Sequence, residues 1–156
     1  MCQFGSFWDH KQGHGNYADK SYQADITKTK GRQVGTPQST ENVAYRLVIL
    51  SNGEEWYLRQ LVENNIGIDF NEILCAEMVS QFKPHPSVYR FAANRLELEP
   101  AQIMMVASHS FDILGARHSG FRGAYVNRYG LPYEESEFKP DITVNDFDQL
   151  CEKLGL

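Results

Sequence analysis

From Tyr45 to its end the chain alternates short apolar runs with longer segments whose apolar residues recur at helical spacing, and this alternation constrains the fold more than any other feature. "YRLVIL", "EILCA", "IMMVAS", "GAYVN" and "ITV" read as strands. "EEWYLRQLVENN", "PSVYRFAANRLEL", "FDILGARHSG" and "NDFDQLCEKLGL" read as helices between and after them. Strands that are apolar throughout need cover on both faces, and parallel neighbours need crossover connections, which these helices provide. The expected class is α/β: a Rossmann-like parallel sheet with helices on both faces.

The character of the chain changes near residue 41. Residues 9–40 are polar, Gly-rich and almost free of Leu, Ile and Val, so they cannot bury much apolar surface. The expected organisation is an irregular or disordered segment 1–40 followed by one core, 41–156; a chain of 156 residues is too short for two cores. No run approaches the roughly 18 apolar residues of a membrane span. The start "MCQFGSFWDHKQGHG" lacks the pattern of a secretory signal, so the expected compartment is the cytoplasm. A net charge of −5 without any Lys/Arg cluster argues against nucleic acid as a partner. Cys2, Cys75 and Cys151 are far apart and form no CxxC, which predicts reduced thiols and no zinc site.

In open parallel sheets the ligand crevice lies beyond the carboxyl ends of the strands. Three polar groups fall there: Ser51-Asn52-Gly53 after "YRLVIL", "SQFKPHP" (80–86) after "EILCA", and Ser108, His109 and Asp112 after "IMMVAS". Each has a plain alternative. Ser51 serves as well for a helix cap as for binding an anionic oxygen. Lys83, held extended by Pro84, is either a solvated lysine or an ammonium aimed inward. Asp112 is either a first-turn acid favoured by the helix dipole or a carboxylate that pairs with the lysine or orients a water. His109 suits a hydrogen-bonded loop, since His10, His14, His85 and His118 offer no supporting ligand spacing.

Together these segments resemble the haloacid dehalogenase superfamily, and within it the type II (S)-2-haloacid dehalogenases. The resemblance rests on "YRLVILSNG", "FKPHPSVYRFA", "MVASHSFDILGARHSGF" and "AYVNR", in that order, over roughly residues 44–154. It implies hydrolytic removal of halide from a 2-haloalkanoic acid through an aspartyl ester, with no metal and no other cofactor. Ser51 would bind the substrate carboxylate or the nucleophile's oxygen, and Asn52 would help hold the leaving halide. Lys83 would neutralise the acidic cluster, with Tyr89 supporting it. Ser108 and Asp112 would position the hydrolytic water. The partner implied is a small anionic molecule, neither nucleic acid nor membrane, and a homodimer stays open.

Three departures qualify the resemblance. The family's Ser-Ser-Asn corner is replaced by Ala107, Ser108 and His109, which puts an imidazole in place of an amide. The superfamily's phosphatases usually carry an acidic pair four residues apart to hold magnesium; here Ser108 replaces the first acid, so a dehalogenase is favoured over a small phosphatase. The first motif, an apolar strand ending in the nucleophilic aspartate, is not found, nor is the helical cap domain; Asp9 follows "FGSFW" but lacks the turn that belongs there. The expectation is a fragment that is inactive as it stands, with a non-catalytic remnant as the alternative. The nucleophile strand's slot between "YRLVIL" and "IMMVAS" must then close by direct pairing or be filled from residues 1–40.

Overall fold

A computed structural model of the chain describes Asp25–Thr27, residues 45–66 and residues 70–156. The order is β1 (Asp25–Thr27), β2 (Arg46–Ser51), α1 (Glu55–Leu61), β3 (Glu72–Cys75), α2 (Pro86–Leu96), β4 (Met104–Ala107), α3 (Ser110–His118), β5 (Arg122–Val126), β6 (Ile142–Val144) and α4 (Phe147–Leu154). The run read as one helix from Glu54 ends its α-helical part at Leu61 and continues as a π-helical turn, Val62–Ile66. Short 3₁₀ turns at Ala76–Val79 and Pro100–Gln102 lead out of β3 and into β4.

β2 and β3 pair in parallel, with Leu50 opposite Leu74 and Ser51 opposite Cys75. β4 with β5, and β5 with β6, are parallel as well. The hydrogen-bonded ladders form two three-stranded sheets, β1-β2-β3 and β4-β5-β6, rather than one continuous sheet. A shared core joins them. Val48, Leu50 and Leu74 from one sheet and Met105 and Ala107 from the other pack with α2 and α3. The intervening residues face the opposite way, so Met104, Val106 and Ala124 meet Leu150 of α4, and Ile49 meets Leu58 of α1. This period of two, buried on both sides, is the doubly covered arrangement that the apolar strands demand.

β1 comes from the polar segment. It runs antiparallel to β2, with Ile26 opposite Leu47, and also lies against β4. Of the two ways to close the slot, the chain uses residues from 1–40; the rest of that segment lies outside the described residues.

Local signals fix where the helices begin. α2 starts on Pro86, whose missing N–H is harmless in the first turn, after His85, whose ring nitrogen accepts from the Ser87 N–H. Asp146 caps α4 by accepting from the Gln149 N–H at 2.8 Å, and Gly155 ends it at φ +74°. Of the two cysteines among the described residues, Cys75 is free and buried. Cys151 is disulfide-bonded, which corrects the expectation of reduced thiols. Sequence spacing carries no information about which sulfur atoms the fold brings together. Among the described residues no helix is long and apolar enough to cross a membrane.

Candidate active site

β2 ends at Ser51 and β4 at Ala107, and the segments that follow them meet Lys83 at the carboxyl edge of the strands. The Lys83 ammonium donates to the Leu50 carbonyl at 2.6 Å and to Asp112 Oδ2 at 3.0 Å. The Tyr89 hydroxyl donates to Asp112 Oδ1 at 3.1 Å and lies 3.3 Å from the Asp112 carbonyl oxygen. Both charged side chains are sealed from water, at 2% exposure for Lys83 and 0% for Asp112. An isolated charge cannot be kept in such a place; a hydrogen-bonded pair can. Of the alternatives open for Lys83 and Asp112, the solvated lysine and the plain first-turn acid are therefore excluded. Asp112 does stand in the first turn of α3, where the dipole favours it, but its carboxylate faces inward to the lysine.

Asn52 holds this lysine by its main chain. Its Oδ1 accepts from the Lys83 N–H at 2.7 Å, and its Nδ2 donates to the Lys83 carbonyl at 3.2 Å. An amide has two N–H donors, so one hydrogen remains for another acceptor. The Lys83–Pro84 bond is cis. Ser51 is buried, and its Oγ accepts from the Gly53 N–H at 3.0 Å, closing a turn two residues long. It is not the helix cap, a place that falls to Glu54. The serine O–H, used as acceptor toward Gly53, keeps its own hydrogen to donate.

Beyond β4, His109 is the N-cap of α3, without a side-chain cap bond. Its ring packs against Phe111 at 5.7 Å and Tyr129 at 6.3 Å between centroids. Ser108 is half-buried between β4 and α3. It lies before the helix begins, so the four-residue spacing to Asp112 does not stack the two on one helical face, and no hydrogen bond joins them. Among the described residues no group of three or more His, Cys, Asp or Glu gathers where a cation could bind.

Two parts of this arrangement were invisible in the sequence. The Leu50 carbonyl, the shorter of these two lysine contacts, is a backbone group and has no residue-type signal. The Asn52 clamp joins residues 31 apart through atoms that no local pattern relates.

A family model described as "Haloacid dehalogenase-like hydrolase" matches residues 38–126, more than half of the chain. The chain belongs to the haloacid dehalogenase-like hydrolases. Among its relatives in this family, "(S)-2-haloacid dehalogenase 2" of Pseudomonas sp. (strain CBS-3) is 35% identical over 120 residues, covering 76% of this chain and 52% of the relative. "(S)-2-haloacid dehalogenase H-109" of Pseudomonas putida is 32% identical over 169 residues, covering 99% of this chain and 75% of the relative. The solved L-2-haloacid dehalogenase of Xanthobacter autotrophicus with chloropropionic acid covalently bound superposes with a TM-score of 0.61 at 28% identity, over 69% of this chain and 54% of that one. The chain thus spans about half the length of the first relative. The haloacid dehalogenase-like core explains why strand ends carry the polar residues and helices carry the apolar cover.

Proposed function

We propose that residues 45–156 form the charge-handling part of a 2-haloacid dehalogenase site and that this chain needs a carboxylate nucleophile which those residues do not supply. The observation that carries the reading is the buried Lys83–Asp112 pair, 3.0 Å apart, braced by Tyr89 and the Leu50 carbonyl. In the reaction that the resemblance implies, an aspartate oxygen forms a bond to the carbon bearing the halogen as the halide leaves with its electron pair. Water then cleaves the ester, releasing a 2-hydroxy acid and a proton and restoring the carboxylate. A covalent chloropropionate adduct in a solved relative supports the ester route.

In this reading Lys83 offsets the negative charge that gathers when a carboxylate nucleophile meets a haloacid anion. Ser51, with a hydroxyl hydrogen to give, binds the substrate carboxylate. The remaining Asn52 hydrogen faces the halide, while the rest of that amide holds Lys83 in register. Ser108 and Asp112 place the hydrolytic water, and His109 with Phe111 and Tyr129 walls the substrate side. Asp112 is itself committed to Lys83 and Tyr89 and fully buried, so it is not the group that forms the ester. The substrate is a small anion, the compartment the cytoplasm, and a homodimer is left to sedimentation.

The test is halide release from both enantiomers of 2-chloropropionate, with and without EDTA. The expected result is no turnover by this chain, together with chemical-shift changes at Ser51 and Lys83 when the haloacid is added. Turnover that resists EDTA and disappears in Asp112→Asn would overturn the inactive assignment. Magnesium-dependent cleavage of a phosphate monoester would replace the dehalogenase reading with a small phosphatase.

A further inference from the structure

Gly115 follows Asp112 by three residues on α3, so the two share one side of the helix. A methyl group built on its Cα would overlap the Tyr89 hydroxyl oxygen and stand 2.8 Å from both Tyr89 Cε2 and Pro84 Cβ. Neither neighbour is the loose end of a flexible side chain. Tyr89 is fully buried and packs edge-on against Phe121 at 5.8 Å, and Pro84 is a ring closed onto the backbone. Any side chain at 115 therefore has to push α3 away from α2.

Glycine inside a helix costs roughly 1 kcal/mol relative to alanine. Helix propensity alone thus favours alanine, and what the glycine provides is close approach. The two groups it lets in are the two arms of the Asp112 carboxylate: Tyr89 bonds Oδ1, and Pro84 is the next residue after Lys83, which bonds Oδ2.

We propose that Gly115 is a positioning residue: its missing side chain sets how closely α3 lies on Tyr89 and Pro84, and so aligns Asp112 between Tyr89 and Lys83. The value of that alignment to catalysis rests on the dehalogenase reading; the alignment itself does not.

The experiment compares Gly115→Ala with Gly123→Ala in the full chain. Gly123 is also crowded, its added Cβ lying 2.9 Å from Ile113 Cγ2 and 3.2 Å from Arg117 Cδ, and the three atoms nearest to that Cβ all belong to Ile113 and Arg117 rather than to Tyr89 or Pro84. The readout is the rate at which Lys83 is methylated by ¹³C-formaldehyde with a reductant, followed by peptide mass spectrometry. Gly115→Ala is expected to raise that rate by about tenfold or more, because the buried pair opens, and Gly123→Ala to leave it near the wild-type value. Unchanged protection of Lys83 in Gly115→Ala, or equal exposure in both variants, overturns the proposal. Should Gly115→Ala not fold, the double variant Gly115→Ala/Tyr89→Leu decides, since it removes both the overlapped oxygen and the ring carbon beside it. A folded double variant supports the proposal; an unfolded one, with Tyr89→Leu alone folded, overturns it. None of these outcomes uses halide release, so failure of the dehalogenase reading registers separately in the assay above.

Discussion

Helix α3 carries an ion pair near each end, and the two differ in almost everything except their chemistry. Near its start Asp112 meets Lys83 with both side chains out of water, at 0% and 2% exposure. Near its end Arg117 meets Asp141 at 2.9 Å with 31% and 27% of the side chains exposed. The helix dipole favours an acid in the first turn and a base in the last, so it favours both. The difference lies in the surroundings. Around Asp112 both charges are out of water, and each takes part of its compensation from the other. Around Asp141 water takes over part of the task, and the pair acts as an ordinary clasp that ties α3 to the start of β6.

The largest effect that would test this contrast is expected for Asp112→Ala, which takes a buried carboxylate away from the buried Lys83 ammonium. It should cost about 3 to 5 kcal/mol, read by urea denaturation, while Lys83→Met combined with Asp112→Leu should recover most of the loss. A cost under about 1 kcal/mol would show that water reaches the pair and would break the contrast.

Next in size is the exposed pair. Asp141 Oδ2 also accepts from the Gly123 N–H at 2.7 Å, so Asp141→Ala should cost about 1 to 2 kcal/mol and Arg117→Ala less. A double-mutant cycle should give a coupling of about 0.2 to 1 kcal/mol that shrinks in 1 M NaCl, whereas the Lys83–Asp112 coupling should hold in salt.

The smallest effect concerns Cys75, a free and buried thiol. Burial pushes its thiol above the ordinary range; backbone hydrogen bonds from Met78 and Glu77 pull the other way, and the Glu77 and Glu55 carboxylates add to the rise. A folded value above the unfolded one means that the proton is held more tightly in the native state. The stabilisation is therefore complete below the unfolded value of about 8.5 and is lost as pH rises through the folded value. Cys75→Ala should flatten the fall of the urea midpoint as the pH rises above the ordinary thiol range. An unchanged slope would mean that the native thiol meets water.

How much of this was readable beforehand depended on the range over which each signal acts. The strands showed themselves because a strand buried on both faces must be apolar along its whole length, as in "YRLVIL" and "IMMVAS". The helices showed themselves by apolar spacing, as in "PSVYRFAANRLEL" and "NDFDQLCEKLGL", while the Asp146 cap of α4 came only with the structure. The strand that fills the slot beside β2 was not readable in that way. Nothing in "QADITK" marks Asp25–Thr27 as the strand that lines up against β2, because three residues in a polar setting carry no periodicity. Among the site residues, Lys83, Asp112, Ser51 and Asn52 were singled out by their place after strands. Their bland alternatives could be set aside for Lys83 and Asp112 only when burial was known, since a sequence states which groups are charged and not which ones water reaches.

The sequence by itself determined that this is an α/β chain with polar residues gathered beyond its strands, because hydrophobic periodicity and turn chemistry act over a few residues. The tertiary structure decided that Asn52 grips the Lys83 main chain, that a Leu50 carbonyl takes the ammonium, and that Gly115 must have no side chain. Those are distances between atoms brought together from separate segments, and they exist only once helices and strands have packed.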